Sequence, residues 1–294
     1  MISKFISVIM PVYNCELFLH DSIGSILKQS YRNYEFIIIN DGSEDSSLEI
    51  IKSYSSRDNR IKVINQRNKG LIESLNLGVS ISKGEYIARM DADDISLVNR
   101  FEMQLTHMIN NNIDVCGCHY YVINANNHYK DAIIVPTESD DISLRLSSSV
   151  PFAHGSVMIK RSLFDTHKYG ETPFKSVEDY ALWIKLKNHG YIFGNVDEFL
   201  FKYREYSESF SNTKKLKMEH ERCILSKKYL KNNINSLKSS INNRINYKID
   251  NNSQFDLLLN SFILRYKFFK LLRQCNNRNK VILLLKVLRI LFKR

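Results

Sequence analysis

Glu85-Tyr86-Ile87-Ala88-Arg89-Met90-Asp91-Ala92-Asp93-Asp94 is the stretch around which the rest of this 294-residue chain is arranged. Tyr86 to Met90 reads as a short buried strand opened by the turn residue Gly84, and three carboxylates follow within four positions, at Asp91, Asp93 and Asp94. Like charges crowded at a strand end destabilise a fold unless a cation or positive ligand neutralises them. Asp-x-Asp suits a hard divalent cation, which prefers carboxylate oxygens and completes its octahedron with a diphosphate. The plainer alternative is an acidic surface turn in which Asp94 caps the next helix, a position that Asp favours. Arg89, inside an otherwise apolar strand, needs a partner, which the adjacent carboxylates or a phosphate would supply.

Upstream, Phe5 to Met10 reads as a buried strand stopped by Pro11, and Leu17 to Lys28 has the apolar spacing of a helix. Tyr34 to Asn40 is a second strand ending in Asp41-Gly42-Ser43, and a helix from Glu44 to Tyr54 leads to a third strand, Ile61 to Asn65. After the turn Asn68-Lys69-Gly70, Leu71 to Ser82 is helical and delivers the chain to the strand at Tyr86. Such alternation predicts a parallel sheet covered on both faces. Ligands bind beyond the carboxyl ends of strands in open sheets of this kind. Pro11-Val12-Tyr13-Asn14, Asp41-Gly42-Ser43 and Asp91-Ala92-Asp93 all fall at such ends and gather on one rim. No Gly-x-Gly-x-x-Gly follows a strand and no Gly-x-x-x-x-Gly-Lys-Ser/Thr occurs, which weakens dinucleotide and P-loop readings. Phosphates would then be held by metal and side chains.

Downstream, the pattern predicts a helix over 96–111, a long strand from Asp114 to Asn124, and a loop from Pro151 running into a strand. Glu178-Asp179 opens a helix through Lys187 that Gly190 terminates, and Glu198 to Arg204 alternates like a strand. From about Asn212 the composition shifts to Asn, Lys, Leu and Ile without Pro or Gly, which marks a boundary between 1–211 and a basic helical region, 212–294. Residues 212–294 carry 20 Lys and Arg against 4 Asp and Glu, whereas 1–211 carry 22 against 27. An acidic body with a basic tail points to nucleic acid or an anionic membrane surface as partner. Five cysteines without zinc-type pairing fit a reducing compartment, and Cys116-x-Cys118 lies in an apolar run suited to core packing. The first residues lack a signal-peptide layout and no apolar run is long enough to span a bilayer.

Six motifs in order make the first 211 positions resemble the family 2 inverting glycosyltransferases with the GT-A fold. They are Ser-Val-Ile-Met-Pro-Val-Tyr-Asn at 7–14, Asn40-Asp-Gly-Ser43, Asn68-Lys-Gly70, Arg89-Met-Asp-Ala-Asp-Asp94, Glu178-Asp-Tyr-Ala-Leu-Trp183 and Tyr203-Arg204. The resemblance implies an α/β body with a Rossmann-like, mostly parallel sheet. It implies that Pro11, Tyr13 and Asp41 line the pocket for the donor's base and ribose, that Asp91 approaches ribose or metal, and that Asp93 ligates Mn²⁺ or Mg²⁺ bridging the diphosphate. Arg89 and Arg204 join the nucleotide-sugar site, Arg204 through phosphate. Asp179 would be the general base with Glu178 orienting a substrate, and His154 an acceptor-side contact. The structural alternatives are a core aromatic for Tyr13, a turn residue bonded to Ser43 for Asp41, and a helix cap for Asp179.

Two departures from the family pattern stand out. Tyr206 occupies the usual His position of the segment that closes over the diphosphate, with Ser209 and Ser211 beyond it. Lys168-Tyr-Gly-Glu171 replaces the more usual Gly-Gly-Tyr. Outside the resemblance, Val281 to Arg294 drawn as a helix lines up Lys286, Arg289 and Lys293 on one stripe, which suits an interfacial helix in anionic lipid or a helix packed on the body or a second subunit. The tail has no nucleic-acid reading motif. The expectation is a metal-dependent inverting hexosyltransferase. It would use a nucleotide sugar, a UDP-hexose, and act on a lipid-linked glycan at the inner face of the cytoplasmic membrane, as in O-antigen, capsule or lipopolysaccharide assembly. A nucleotidyltransferase would need a Gly-rich basic loop after the first strand, which Pro11-Val-Tyr-Asn14 lacks. A non-catalytic membrane- or nucleic-acid-binding protein on a transferase-like body would not need Asp91, Asp93 and Asp179.

Overall fold

The computed structural model describes residues 3–207, 209 and 213–246. Its first half alternates as the sequence predicts: β1 (Ile6–Val12), α1 (Leu19–Leu27), β2 (Tyr34–Asp41), α2 (Ser47–Ser55), β3 (Ile61–Gln66), α3 (Leu71–Ile81) and β4 (Tyr86–Arg89). All four strands run parallel in the order β3-β2-β1-β4. Every residue of β2 is buried because both faces are covered, which is why it reads as a continuous apolar run. Alternate side chains serve two cores. Ile9, Ile37 and Ile39 pack with Leu75 of α3 on one side, and Val8, Met10, Phe36 and Ile38 pack with Ile23 and Ile26 of α1 on the other. Gly78 lets α3 lie close on the sheet, since a Cβ there would come 2.5 Å from Ile9 Cγ2.

β1 does not stop before Pro11 but runs through it to Val12. Ile9 accepts the Met90 amide, so Pro11, two residues on, turns the same edge toward β4. The register with β4 ends at Ile9 and Arg89, so the N–H that Pro11 lacks has no strand to serve. Between β1 and β4 the winding also reverses, which opens a crevice at their carboxyl ends.

The second half comprises β5 (Ile95–Ser96), α4 (Arg100–Asn110), β6 (Val115–Ile123), β7 (Tyr129–Ile133), α5 (Ser139–Leu146), a 3-10 turn at His154–Ser156, β8 (Met158–Lys160), α6 (Glu178–Asn188), β9 (Phe193–Arg204) and α7 (Lys215–Asn246). The sheet continues from β4 through antiparallel β8 to β6, then parallel β9 and antiparallel β5, with β7 on β6. It is therefore parallel up to β4 and mixed beyond. The helix expected from Ser96 instead begins at Arg100, because Ile95 and Ser96 pair with Lys202 and Phe201 of β9. Asn99, not Asp94, stands at its N-cap.

Cys116 and Cys118 are fully buried free thiols in the core, as their apolar setting suggests. Packing continues across the compositional boundary at 211/212. Leu225, Tyr229 and Leu237 of α7 are buried in the same core as α5 and α6, and Glu221 accepts the Ser176 amide at 3.0 Å. Among the described residues no helix is long and apolar enough to cross a membrane. The proposed interfacial helix over 281–294 lies outside them.

Candidate active site

At the end of β4, Arg89 is buried and donates from Nη2 to Asp91 Oδ1 at 2.6 Å and from Nη1 to the Met90 carbonyl. The buried cation thus finds its partner two residues along the chain. Asp93 accepts the Tyr206 hydroxyl at 3.0 Å, and burial followed by the Asp91 charge pushes its carboxyl up to about 6. Asp94 is buried, accepts the Arg204 amide at 2.7 Å through Oδ1, and leaves Oδ2 without a partner. Burial, then Asp93 and Asp91, raise it well above the usual carboxylate range. A Cβ on Gly155 would come 2.6 Å from Asp91 Oδ2 and 2.9 Å from Asp94 Oδ2, so a residue without a side chain keeps the space between these oxygens open.

Converging carboxylate oxygens, one of them an orphan, are the donor set of a hard divalent cation. Among the described residues no three His, Cys, Asp or Glu side chains form a complete cage. Asp91 and Asp94, which face each other across Gly155, with Asp93 between them in sequence, are the residues that would hold a Mg²⁺ or Mn²⁺ ion, whose remaining ligands would have to come from water or substrate.

The neighbouring rim is built by loop-to-loop hydrogen bonds. Asp41 is buried and accepts Gln66 Nε2 and the Lys69 amide on Oδ1 and the Gly70 amide on Oδ2. Its carboxylate therefore shapes the 66–70 loop and is not bonded to Ser43, whose hydroxyl instead accepts the Asn14 amide. Gly42 adopts φ +73°, and a Cβ there would lie 2.6 Å from the Asn68 amide nitrogen. Pro11 sits at the end of β1, and the Tyr13 ring is 49% exposed, so it is no core aromatic. Arg204 does not reach outward to a phosphate. Its side chain is fully buried and donates to the Asp93, Asn124 and Ala125 carbonyls and to Asp21, with Phe18 beneath the guanidinium. It buttresses the carboxylate loop from behind.

A cavity of ≈ 400 Å³ opens in front of these carboxylates, lined by Asp91 and Asp93, by His154, Glu178 and Asp179, and by Tyr120 and Tyr203. Glu178 and Asp179 form the first turn of α6, whose start has no side-chain cap; Asp179 Oδ1 accepts the Tyr180 amide at 2.6 Å. Burial, then Asp179, pushes Glu178 up to about 8, against the opposing Arg89 charge. Burial also raises Asp179, while the Tyr180 amide and the Arg222 guanidinium favour its charged form. Asp179 is thus the member of the pair placed to ionise. His154 Nδ1 lies 3.9 Å from Glu178 Oε1, but burial and Arg89 hold its imidazolium well below the ordinary range, so this contact is between neutral groups. Its Nε2 faces the Tyr169 hydroxyl at 3.3 Å and its ring packs against Trp183.

The lining also includes Lys215, Met218, Glu219 and Arg222 of α7, which carry no local motif and fall in the stretch whose composition suggested a membrane-facing tail. Only the long-range docking of α7 brings them here.

The raised carboxyl of Glu178 has a consequence for stability. The folded protein keeps a proton that the unfolded chain releases near 4.5, so stability from this site is complete at acid pH and declines as pH climbs from about 4.5 to about 8. The groups facing it are Asp179, Arg89, Asp91 and the neutral His154. Glu178→Gln cannot ionise, so its melting temperature is expected to gain on the wild type across that window and hold the gain above it. Parallel pH profiles in thermal denaturation without divalent cation would show that burial does not act on Glu178.

The sequence profile of glycosyl transferase family 2 matches residues 7–167. EpsE of Bacillus subtilis strain 168 is 37% identical over 215 residues, 70% of this chain and 74% of the relative. WfgD of Escherichia coli, named a UDP-Glc:α-D-GlcNAc-diphosphoundecaprenol β-1,3-glucosyltransferase, is 32% identical over 222 residues, 75% of this chain and 85% of the relative. Among solved structures, the mannosyltransferase PcManGT from Pyrobaculum calidifontis in complex with GDP-Man and Mn²⁺ has a TM-score of 0.57 at 12% identity, covering 100% of this chain and 89% of that one. S. aureus TarS 1–349 in complex with UDP-GlcNAc also gives 0.57, at 17% identity over 96% of this chain and 87% of its own. At such identities the structures speak for the fold, while the sequence matches speak for the family: this chain is a member of glycosyl transferase family 2.

Proposed function

We propose that the protein is a metal-dependent inverting glycosyltransferase that moves a hexose from a UDP-sugar to a hydroxyl of a lipid-linked glycan. The observation that carries this reading is a cavity lined both by Asp91 and Asp93 and by the Glu178–Asp179 pair. A carboxylate end for the nucleotide diphosphate and a separate carboxylate for the acceptor are the two parts that a direct displacement needs. The acceptor hydroxyl gives its proton to Asp179 as its oxygen bonds to the anomeric carbon. The bond from that carbon to the diphosphate oxygen breaks on the opposite face, and inversion follows. The cation, when bound, supplies charge stabilisation for the departing diphosphate. Asp91 and Asp93 hold it, Glu178 orients a substrate, and His154 lies on the acceptor side.

The donor and acceptor classes draw support from WfgD, whose name specifies UDP-Glc and a lipid diphosphate-linked GlcNAc. The metal draws support from PcManGT and from GalNAc-T7, both solved with Mn²⁺. Assembly of O-antigen, capsule or lipopolysaccharide glycans on the inner face of the membrane, with the basic tail against anionic lipid, fits an acceptor of this kind.

The test is to incubate the protein and Mn²⁺ with a panel of nucleotide sugars, with and without a short-chain lipid diphosphate-linked GlcNAc. Acceptor-dependent release of UDP is expected, with a product anomer opposite to that of the donor. A product that keeps the donor's anomeric configuration would overturn the direct displacement.

A further inference from the structure

Arg222 on α7 lines the same cavity as Asp179 and lies near enough to act on its charge, yet its Nε is buried and makes no hydrogen bond. Among the described residues no carboxylate comes within ion-pairing distance of its guanidinium; the ion pair on this part of the helix is Lys217–Glu221 at 4.0 Å. A buried donor left unsatisfied costs free energy and calls for an explanation, of which a ligand is one. The position of Arg222 is nevertheless well fixed. Glu221 is tied to the Ser176 amide just before α6, and Leu225 and Tyr229 anchor the next two turns in the core. Lys215 stands two turns earlier on the cavity rim. In a cavity otherwise rich in carboxylates, these two side chains are its lysine and arginine, and they lie on α7, outside the family match.

We infer that Arg222, with Lys215 at the rim, binds a phosphoryl group of the acceptor, so that α7 completes the acceptor subsite. A guanidinium fork matches the oxygens of a phosphate ester in geometry as well as charge. Arg222 is near enough to Asp179 to favour its anion. A phosphoryl group seated there would place the adjoining sugar's hydroxyls at the base, and Tyr120 and Tyr203 offer that sugar aromatic walls. The inference rests on the lipid-linked-acceptor reading given above. It adds that the enzyme recognises the phosphate joining glycan to lipid, in the sugar that accepts or next to it.

The experiment uses the full chain saturated with UDP and Mn²⁺, so that the donor end is occupied. Decyl phosphate, decyl glucoside and inorganic phosphate are titrated by calorimetry and by the fluorescence of Trp183, the single tryptophan, which packs on His154 beside the cavity. Wild type is expected to bind decyl phosphate, and Arg222→Met to weaken it on the order of 10-fold or more, the worth of a charge-assisted hydrogen bond. Arg222→Lys should recover part of the loss, Lys215→Met should cost less, and decyl glucoside binding should not change. Equal decyl phosphate affinity in wild type and Arg222→Met would overturn the inference, as would inorganic phosphate binding as tightly as decyl phosphate. Loss of UDP binding in Arg222→Met would assign the residue to the donor end and overturn it as well. Absence of UDP–Mn²⁺ binding in wild type would sink the glycosyltransferase site itself, and the decyl phosphate comparison would still decide the role of Arg222.

Discussion

Asp179→Asn is expected to lower the rate of sugar transfer by about 10²- to 10⁴-fold, the usual contribution of a general base, with the loss in kcat and not in donor KM. The amide keeps the shape of the carboxylate and can still accept the Tyr180 amide on its oxygen, so the first turn of α6 survives. What disappears is the proton acceptor. Burial raises the Asp179 carboxyl, which makes its anion a stronger base, while Arg222 and the Tyr180 amide keep that anion accessible. Glu178 holds its proton up to about 8 and is poorly suited to take another at neutral pH. Glu178→Gln should therefore cost less than Asp179→Asn. Initial rates and nucleotide titrations on the two variants decide the matter. Near wild-type transfer by Asp179→Asn with a dead Glu178→Gln would exchange their roles.

The first four strands were legible because each obeys a local rule. β1, β2 and β4 are apolar runs buried on both faces, each ending in a polar loop, and the helices between them show their periodicity. Where a distant partner decides, local pattern misleads. Ile95 and Ser96 look like the start of a helix, yet β9, more than a hundred residues later, recruits them as a strand. The same pairing brings the Arg204 amide to Asp94, turning an apparent helix cap into a buried carboxylate, and takes Arg204 from a phosphate-facing position to a buttress. β7 and α5 lacked a legible signal: β7 is almost wholly exposed, and α5 carries Asp140 and Asp141 in its first turn.

The candidate site divides along the same line. Asp91 and Asp93 follow a strand end that sequence order places on the rim, and Glu178 and Asp179 open α6 in a short motif that the family resemblance singled out. Gly155 and Arg222 have no such signature. Gly155 matters through the space it leaves beside two carboxylates, and Arg222 through a helix whose composition, taken alone, describes a basic surface. Composition reports the average environment of a segment. It does not report which face of α7 the core claims, and Leu225, Tyr229 and Leu237 are enough to fix that face.

Removal of divalent cation is expected to abolish transfer, and Asp93→Ala to lower it roughly 10³-fold, since a metal that stabilises a departing diphosphate supplies several kcal/mol and each 1.36 kcal/mol is a factor of ten. The argument starts from the electrostatics of the carboxylate loop. Burial and then the Asp91 charge raise Asp93, burial and then Asp93 and Asp91 raise Asp94, and Asp94 Oδ2 stays unpartnered, so the loop is under like-charge repulsion that the Arg89–Asp91 ion pair relieves only in part. A divalent cation held there would relieve the rest, and UDP should bind tightly only when it is present. Tyr206 donates to Asp93 Oδ2 and would orient that carboxylate without competing for the cation. Gly155→Ala provides the geometric control, because its Cβ would press on Asp91 Oδ2 and Asp94 Oδ2 without altering any charge. It should weaken Mn²⁺-dependent UDP binding by about tenfold or more, in keeping with the steep cost of misplacing groups by an ångström. Chelator, Asp93→Ala and Gly155→Ala should all erase the rise in melting temperature that UDP and Mn²⁺ together give the wild type. Full transfer in excess chelator, or UDP binding to Asp93→Ala at wild-type affinity, would remove the metal from the mechanism and leave the carboxylates to be explained by the packing of β9 and Tyr206 alone.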